Sequence, residues 1–197
     1  MADQAVLSRW PLSGHSAIAE RLLAAWSEPH RRYHDRRHLF ECLAAAADRD
    51  AGRAELLALW FHDAIHRNRP GIDEAASAAL ARDLLSGVLP EGDVAEVERL
   101  VLLTRDHRVS PDDRAGAVVC DADLWVLGAD PVRYTESVRD LRAELGPAVD
   151  DWRPWRRVRL LQRLARPIYH GAEVAAREAA ARRNLTAELE SLSPGRS

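Results

Sequence analysis

The residues of this chain best suited to chemistry lie in one apolar segment, residues 56–66. His62 and Asp63 interrupt a nearly continuous run of leucine, alanine, tryptophan and phenylalanine, and His66 follows one helical turn later. Apolar residues on every face of a helix predict that the helix is buried on all sides. An ionised carboxylate placed there costs several kcal/mol unless it is paired or binds a metal. The histidine–aspartate pair therefore predicts a buried functional site.

Two further segments carry side chains of the same kind. His34 and His38 are spaced i, i+4, which would put both imidazoles on one side of a helix. Taken alone, such a pair is more typical of a solvated, arginine-rich helix start. Asp121 and Asp123 lie within the apolar run 118–128, and alternate residues of a helix project about 200° apart. Only one of these two aspartates should therefore reach any single site.

Together these segments would supply two imidazoles and two carboxylates from three helices: His38, His62, Asp63 and either Asp121 or Asp123. A nitrogen and oxygen donor set without sulfur suits a six-coordinate divalent ion such as Mn, Fe, Co, Ni or Mg. A structural zinc ion more often uses cysteine and closes its coordination shell. An open shell containing water is a hydrolytic arrangement, because the ion lowers the pKa of the water and polarises the electrophile.

The elements that would position these residues are helices. Apolar residues recur at helical spacing throughout, and Gly/Pro turns separate the periodic segments. A strand at 118–120 is the one alternative, but no other segment could pair with it. We predict an all-α, single-domain bundle of mostly antiparallel helices over residues 1–197, ordered from about 12 to 192 with short tails. Its central helix should run from about residue 54 to 66.

Composition excludes several classes of function. All 28 basic residues are arginine, so no lysine is present for a Schiff base or a phosphate-binding loop. The formal charge of −3 provides no overall basic field for nucleic acid. Cys42 and Cys120 lack the spacing of a thiolate zinc site, and no run of about 18 apolar residues could span a membrane. We expect a cytoplasmic protein with neither a nucleic-acid nor a membrane partner.

Six stretches, in order over most of the chain, carry a resemblance to a known family. They are Tyr33-His34 with His38, Trp60-Phe61-His62-Asp63-Ala64, Glu74 with Ser77, Thr104 with His107, Asp121-Ala122-Asp123-Leu124 through Leu127-Gly128, and Ala181-Arg182-Arg183-Asn184-Leu185. This ordered set resembles the HD-domain superfamily, metal-dependent phosphohydrolases named for their His-Asp pair. It is most similar to the bacterial branch of predicted metal-dependent phosphohydrolases. A lone His-Asp pair is not specific, whereas the ordered set is.

The resemblance implies a metal held by His38, by the pair His62 and Asp63, and by one aspartate of residues 121–123. It also implies an enzyme that cleaves a phosphoester of a nucleotide or other small phosphorylated metabolite by attack of metal-bound water. His66 departs from this pattern, since that branch usually has tyrosine there.

Other residues are candidates for supporting roles. His34, Glu74 and His107 could relay protons or support a second ion, and Arg139 and Arg156 could hold phosphate oxygens. The competing interpretations are that the histidines are solvated, that Glu74 caps a helix and that the arginines belong to a solvated basic face. The alternative function is a non-catalytic metal- or nucleotide-binding regulatory module, because a fold does not guarantee a reaction. A homodimer is left open.

Overall fold

The computed structural model describes residues 2–146, 149, 151–171 and 174–193. Over these residues the chain forms ten α-helices and no β-strand, so the predicted all-α class is confirmed. The helices are α1 Ala2–Leu7, α2 Ser16–Ala25, α3 Arg36–Ala47, α4 Arg53–Phe61, α5 Ile72–Leu85, α6 Glu91–Leu103, α7 Arg114–Asp123, α8 Pro131–Leu145, α9 Trp152–Leu164 and α10 Ala175–Ser191; a 3-10 helix, Trp125–Gly128, connects α7 and α8.

Helix α4 lies at the centre of the larger of two hydrophobic clusters. Leu57, Trp60 and Phe61 are fully buried, and α4 contacts α3, α5, α6 and α7. The Trp60 ring packs edge-on against Trp10, with ring centroids 5.3 Å apart. The apolar segment is therefore buried on all sides, as its sequence predicts. Among the described residues, no helix combines the length and apolar character needed to cross a bilayer.

Helix α4 ends about one turn earlier than predicted, at Phe61. The carbonyl of Leu59 accepts a hydrogen bond from His62 Nδ1 at 2.7 Å, and that of Trp60 accepts one from Trp26 Nε1 at 3.0 Å. In a continuing helix these carbonyls would accept the N–H groups of the following turn. Because side chains occupy them instead, the chain leaves the helix where its polar residues begin.

A smaller hydrophobic cluster joins α8, α9 and α10, and it also holds the end of α7. Asn184 of α10 donates to the carbonyls of Leu127 and Ala129, both at 2.9 Å. The Tyr169 hydroxyl donates to the Leu124 carbonyl at 2.9 Å. Helix α10 approaches the 3-10 helix so closely that a Cβ at Gly128 would lie 2.9 Å from a backbone oxygen of α10. These contacts fix the chain directly after Asp123.

The central position of α4 gives a stability prediction. Leu57→Ala should lower the free energy of unfolding by about 2–5 kcal/mol, because it opens a cavity in a core that cannot fully collapse. The matched control is Leu161→Ala on α9, where the leucine is 47% exposed, and it should cost no more than about 0.5–1 kcal/mol. Urea denaturation followed by far-ultraviolet circular dichroism measures both. Equal losses for the two variants would contradict the central placement.

Candidate metal centre

Three helices bring two imidazoles and a carboxylate to one point. His38 comes from the first turns of α3, His62 follows the last residue of α4, and Asp123 ends α7. The two histidine Nε2 atoms are 3.3 Å apart, and Asp123 Oδ1 lies 3.1 Å from that of His38 and 3.5 Å from that of His62. Donors about 2.0–2.1 Å from a common ion are separated by roughly 3.0–3.4 Å. The spacing is therefore that of donors around one metal ion.

The orientation of His62 also suits a metal. Its Nδ1–H donates to the carbonyl of Leu59, which directs Nε2 toward His38 and Asp123. A metal-binding imidazole commonly uses its second nitrogen in this way, and the outer hydrogen bond fixes the ring and its tautomer. The nitrogen and oxygen donor set fits a divalent cation.

Asp63 lies between this cluster and a second one. Its Oδ2 is 3.4 Å from His62 Nε2 and 3.9 Å from His34 Nε2, and its Oδ1 is 3.7 Å from His66 Nδ1. His34 and His66 both contact one oxygen of Glu144, with His66 Nε2 3.0 Å from Oε1. Among the described residues, two groups could thus hold a metal ion: His38, Cys42, His62 and Asp123, and His34, His66 and Glu144.

Glu144 is a fully buried carboxylate that is held from two sides. Its Oε2 accepts the backbone N–H groups of Arg32, Tyr33 and His34 at 2.8, 3.0 and 3.0 Å. Burial alone would raise the pKa of Glu144, but the hydrogen bonds from His34 and His66 outweigh it and lower that pKa. Glu144 therefore fixes the loop before α3 as well as the second cluster.

The negative charges of the buried carboxylates are compensated by the neighbouring imidazoles. Burial opposes the charge on His62, yet Asp63 and Asp123 raise its pKa to about 9. Burial likewise opposes ionisation of Asp63 and Asp123, and the charge of His62 more than offsets it, so both pKa values are lowered. His66 has its pKa raised to about 10 because Asp63 and Glu144 outweigh its desolvation. A divalent cation bound among these carboxylates would compensate their charge as the protons on His62 and His66 do.

His107 binds the outer oxygen of Asp123. Its backbone has a φ of +53°, and its Nε2 lies 2.8 Å from Asp123 Oδ2. A left-handed backbone at a non-glycine residue is uncommon and costs energy. The strained turn directs the imidazole to Asp123, where it orients the carboxylate and leaves Oδ1 for the cluster.

Asp121 lies outside the candidate centre. Its Oδ2 accepts a hydrogen bond from Arg49 at 2.7 Å, and its Oδ1 accepts one from His170 Nδ1 at 2.7 Å. The His170 backbone N–H also lies 3.0 Å from both oxygens. Of the two aspartates that the sequence left open, the structure brings only Asp123 to His38 and His62.

His34 lies near the site, but it is not on the same helix as His38. Asp35 is the N-cap of α3 and accepts from the N–H groups of Arg37 and His38, so His34 precedes the helix. The expectation that His34 and His38 share a helix face is therefore wrong. Their ring centroids are nevertheless 5.6 Å apart, because Glu144 holds the loop against the second cluster.

Glu74 caps a helix. Its carboxylate accepts the backbone N–H of Gly71, the N-cap of α5, whose φ is +84°. The neighbouring Asp73 accepts the N–H groups of Arg67 and Arg69 in the preceding loop, at 2.6 and 2.9 Å. No described contact of Glu74 reaches the histidine clusters.

Neither of the two predicted substrate-binding arginines has a described contact with the cluster. Arg139 is exposed on α8 and pairs with Asp140 at 2.9 Å. Arg156 of α9 is buried, and its guanidinium already pairs with Glu188 at 2.8 Å and lies near the Tyr134 hydroxyl. A phosphate contact of either arginine stays a prediction.

Three members of the two clusters were not predicted from sequence. Cys42 lies one turn after His38 on α3, with Sγ 3.6 Å from His38 Nε2, and burial raises the pKa of its thiol well above the usual value. His66 was noted as following His62 by one turn and as a departure from the family pattern, but its i, i+4 spacing from His62 was not used to assign it to the site. Glu144 is 110 residues from His34, and nothing in the sequence near it indicates the contact.

Comparison with known proteins finds no match to this chain among family models, curated proteins or solved structures. The centre is therefore interpreted from its own residues.

The contrast between the two aspartates gives a prediction. Asp123→Asn should lose bound Mn²⁺, because a neutral amide is a weak ligand and the charge opposite His38 and His62 disappears. Asp121→Asn should keep the metal but lower stability by about 1–3 kcal/mol, since a neutral amide weakens the charge-assisted hydrogen bonds from Arg49 and His170. Elemental analysis after loading with Mn²⁺, expressed per folded protein, measures the first effect, and thermal unfolding measures the second. Metal loss in the Asp121 variant alone would reverse the assignment.

Proposed function

We propose that this chain is a metal-dependent phosphohydrolase of the HD type, acting on a phosphoester of a nucleotide or another small phosphorylated metabolite. The observation that carries the proposal is the convergence of His38, His62 and Asp123, with Asp63 beside them, at distances suited to one ion. The ordered motifs that resemble the HD-domain superfamily supply the reaction class, with His62 and Asp63 as the defining pair.

The roles of the donors follow from their contacts. His38, His62, Asp63 and Asp123 would hold the cation, and His107 fixes the outer oxygen of Asp123. A divalent cation bound there would lower the pKa of a water molecule and polarise the phosphoryl group. Fixed donors on three helices keep this geometry through turnover without reorganisation.

His34 is the residue best placed to move a proton. Glu144 holds its Nδ1, so Nε2 faces Asp63 at 3.9 Å, and the side chain keeps 20% exposure. Burial lowers the pKa of His34 below its ordinary value, so the ring is neutral near pH 7. A neutral imidazole at the edge of the site can accept a proton at Nε2 and release it to solvent.

A panel assay tests the proposal. Purified protein incubated with Mn²⁺, Co²⁺, Ni²⁺, Fe²⁺ or Mg²⁺ should release inorganic phosphate, or a phosphorylated fragment, from some nucleotides or phosphomonoesters. Release should stop when a chelator removes the metal and should be nearly abolished in Asp63→Ala, which lies between both histidine clusters. Stoichiometric metal binding without turnover on any substrate would favour the regulatory-module alternative instead.

The proton-transfer role gives a separate prediction for His34. His34→Ala at saturating metal should lower kcat by about 10²–10⁴-fold, the usual contribution of general acid–base catalysis, while the metal content stays unchanged. The matched control is His15→Ala at the start of α2, which makes no described contact with either cluster. Unchanged turnover would mark His34 as a structural partner of Glu144, and lost metal would mark it as a ligand.

A further inference from the structure

A cleft of about 700 Å³ opens beside the candidate metal centre, between α9 and the turn after α6. Its walls carry one acidic residue, Asp106, and six arginines: Arg105, Arg108, Arg156, Arg159, Arg163 and Arg166. The whole chain has a net charge of −3, so this concentration of guanidinium groups is local. The volume lies within the range of about 300–1,000 Å³ that small-molecule sites occupy.

Most of these positive charges lack a carboxylate partner. Arg156 is neutralised by Glu188, and Arg108 lies only 3.9 Å from Asp106, at the limit of an ion pair. Arg166 donates to the backbone carbonyl of Asp106 at 2.6 Å. Among the described residues, no carboxylate lies within ion-pair distance of the other three, Arg105, Arg159 and Arg163. Positive charge therefore accumulates along the cleft.

Arg163 is the least exposed of the three arginines without a carboxylate partner. Its side chain is half-buried, and burial together with the nearby charge of Arg166 lowers its pKa. The charge of Asp123 acts in the opposite direction, which places Arg163 within electrostatic reach of the candidate metal ligand. An anion in the cleft would offset both the desolvation and the repulsion between the arginines.

His107 connects the cleft to the metal centre. It lines the cleft, and its imidazole binds Asp123. Leu124, directly after Asp123, also lines the cleft. A ligand that occupies the cleft thus lies next to the carboxylate that would hold the ion.

The cleft also has an aromatic wall. Trp155 stacks on Trp152 with ring centroids 5.6 Å apart, and the Arg159 guanidinium lies 5.3 Å from the Trp155 ring centroid. Leu127 and Leu160 add apolar surface. The surface therefore combines separated guanidinium groups with an aromatic face, which suits an organic group attached to several phosphates.

We propose that this cleft binds a small organic polyphosphate, with Arg159, Arg163 and Arg166 along its phosphate chain and its terminal phosphate directed toward His107 and Asp123. A single phosphate uses one or two arginine forks, whereas several guanidinium groups spread along a cleft match a chain of phosphates. This proposal rests on the proposed function for the reaction and names the class of substrate.

Binding to metal-free protein tests the cleft separately from catalysis. Inorganic tripolyphosphate, titrated calorimetrically into protein freed of metal by chelator and dialysed, should bind roughly tenfold or more tightly than orthophosphate. Arg163→Gln and Arg159→Gln should each weaken tripolyphosphate binding by roughly tenfold, which corresponds to about 1.4 kcal/mol. Arg21→Gln, an exposed arginine of α2 outside the cleft, removes the same charge and should change binding by less than about twofold.

Each outcome decides one of the two proposals. Binding with the predicted variant pattern, but without hydrolysis of any substrate, supports the cleft and contradicts the enzymatic proposal. Hydrolysis of monophosphates with no preference for tripolyphosphate over orthophosphate overturns the cleft proposal and leaves the enzyme. Equal weakening by the cleft variants and Arg21→Gln, or a single-stranded RNA 20-mer that displaces tripolyphosphate at lower concentration, also overturns it.

Discussion

The structure depends on the compensation of three carboxylates, Asp63, Asp123 and Glu144, that lie among the helices instead of at the surface. Each of them lies close to imidazoles. Asp63, for example, lies between His62 and His66. An uncompensated carboxylate in such surroundings would cost several kcal/mol and would favour either its protonation or its exposure. Because the imidazoles come from α3, the loop before it, the segment after α4 and the turn after α6, the compensation fixes how these elements meet.

This constraint also explains why regular structure stops where it does. Helix α4 ends at Phe61 because side chains take up its last carbonyls, and His62 uses that bond to direct its other nitrogen inward. The strained turn at His107 similarly directs an imidazole at Asp123. Departures from regular backbone thus coincide with the positions that aim a donor, which is where strain is commonly retained in proteins.

The sequence predicted what local patterns encode. Helical class, the burial of α4 and the exclusion of one of the two aspartates follow from periodicity and from the 100° step of a helix. Two features had no local signal: the contact of Glu144 with a loop 110 residues away and the pairing of Asp121 with Arg49. These depend on how α7 and α8 dock, which residue spacing within one helix does not specify.

The arginines fall into two groups that the net charge does not distinguish: those paired with carboxylates and those that line the cleft. Elsewhere on the molecule several guanidinium groups form bidentate pairs, as Arg82 does with Glu98 and Arg133 with Glu41, and their positive charge is structural. Next to Asp123, half-buried arginines such as Arg163 face a cleft instead of a carboxylate. A protein with a net charge of −3 can therefore still present a locally positive cleft, because six arginines line it and Asp106 is its one lining carboxylate. His107 lies between Asp123, which would hold a cation, and the arginines of the cleft, which would hold an anion. This arrangement would bring the opposite charges of a metal ion and a phosphate together at His107.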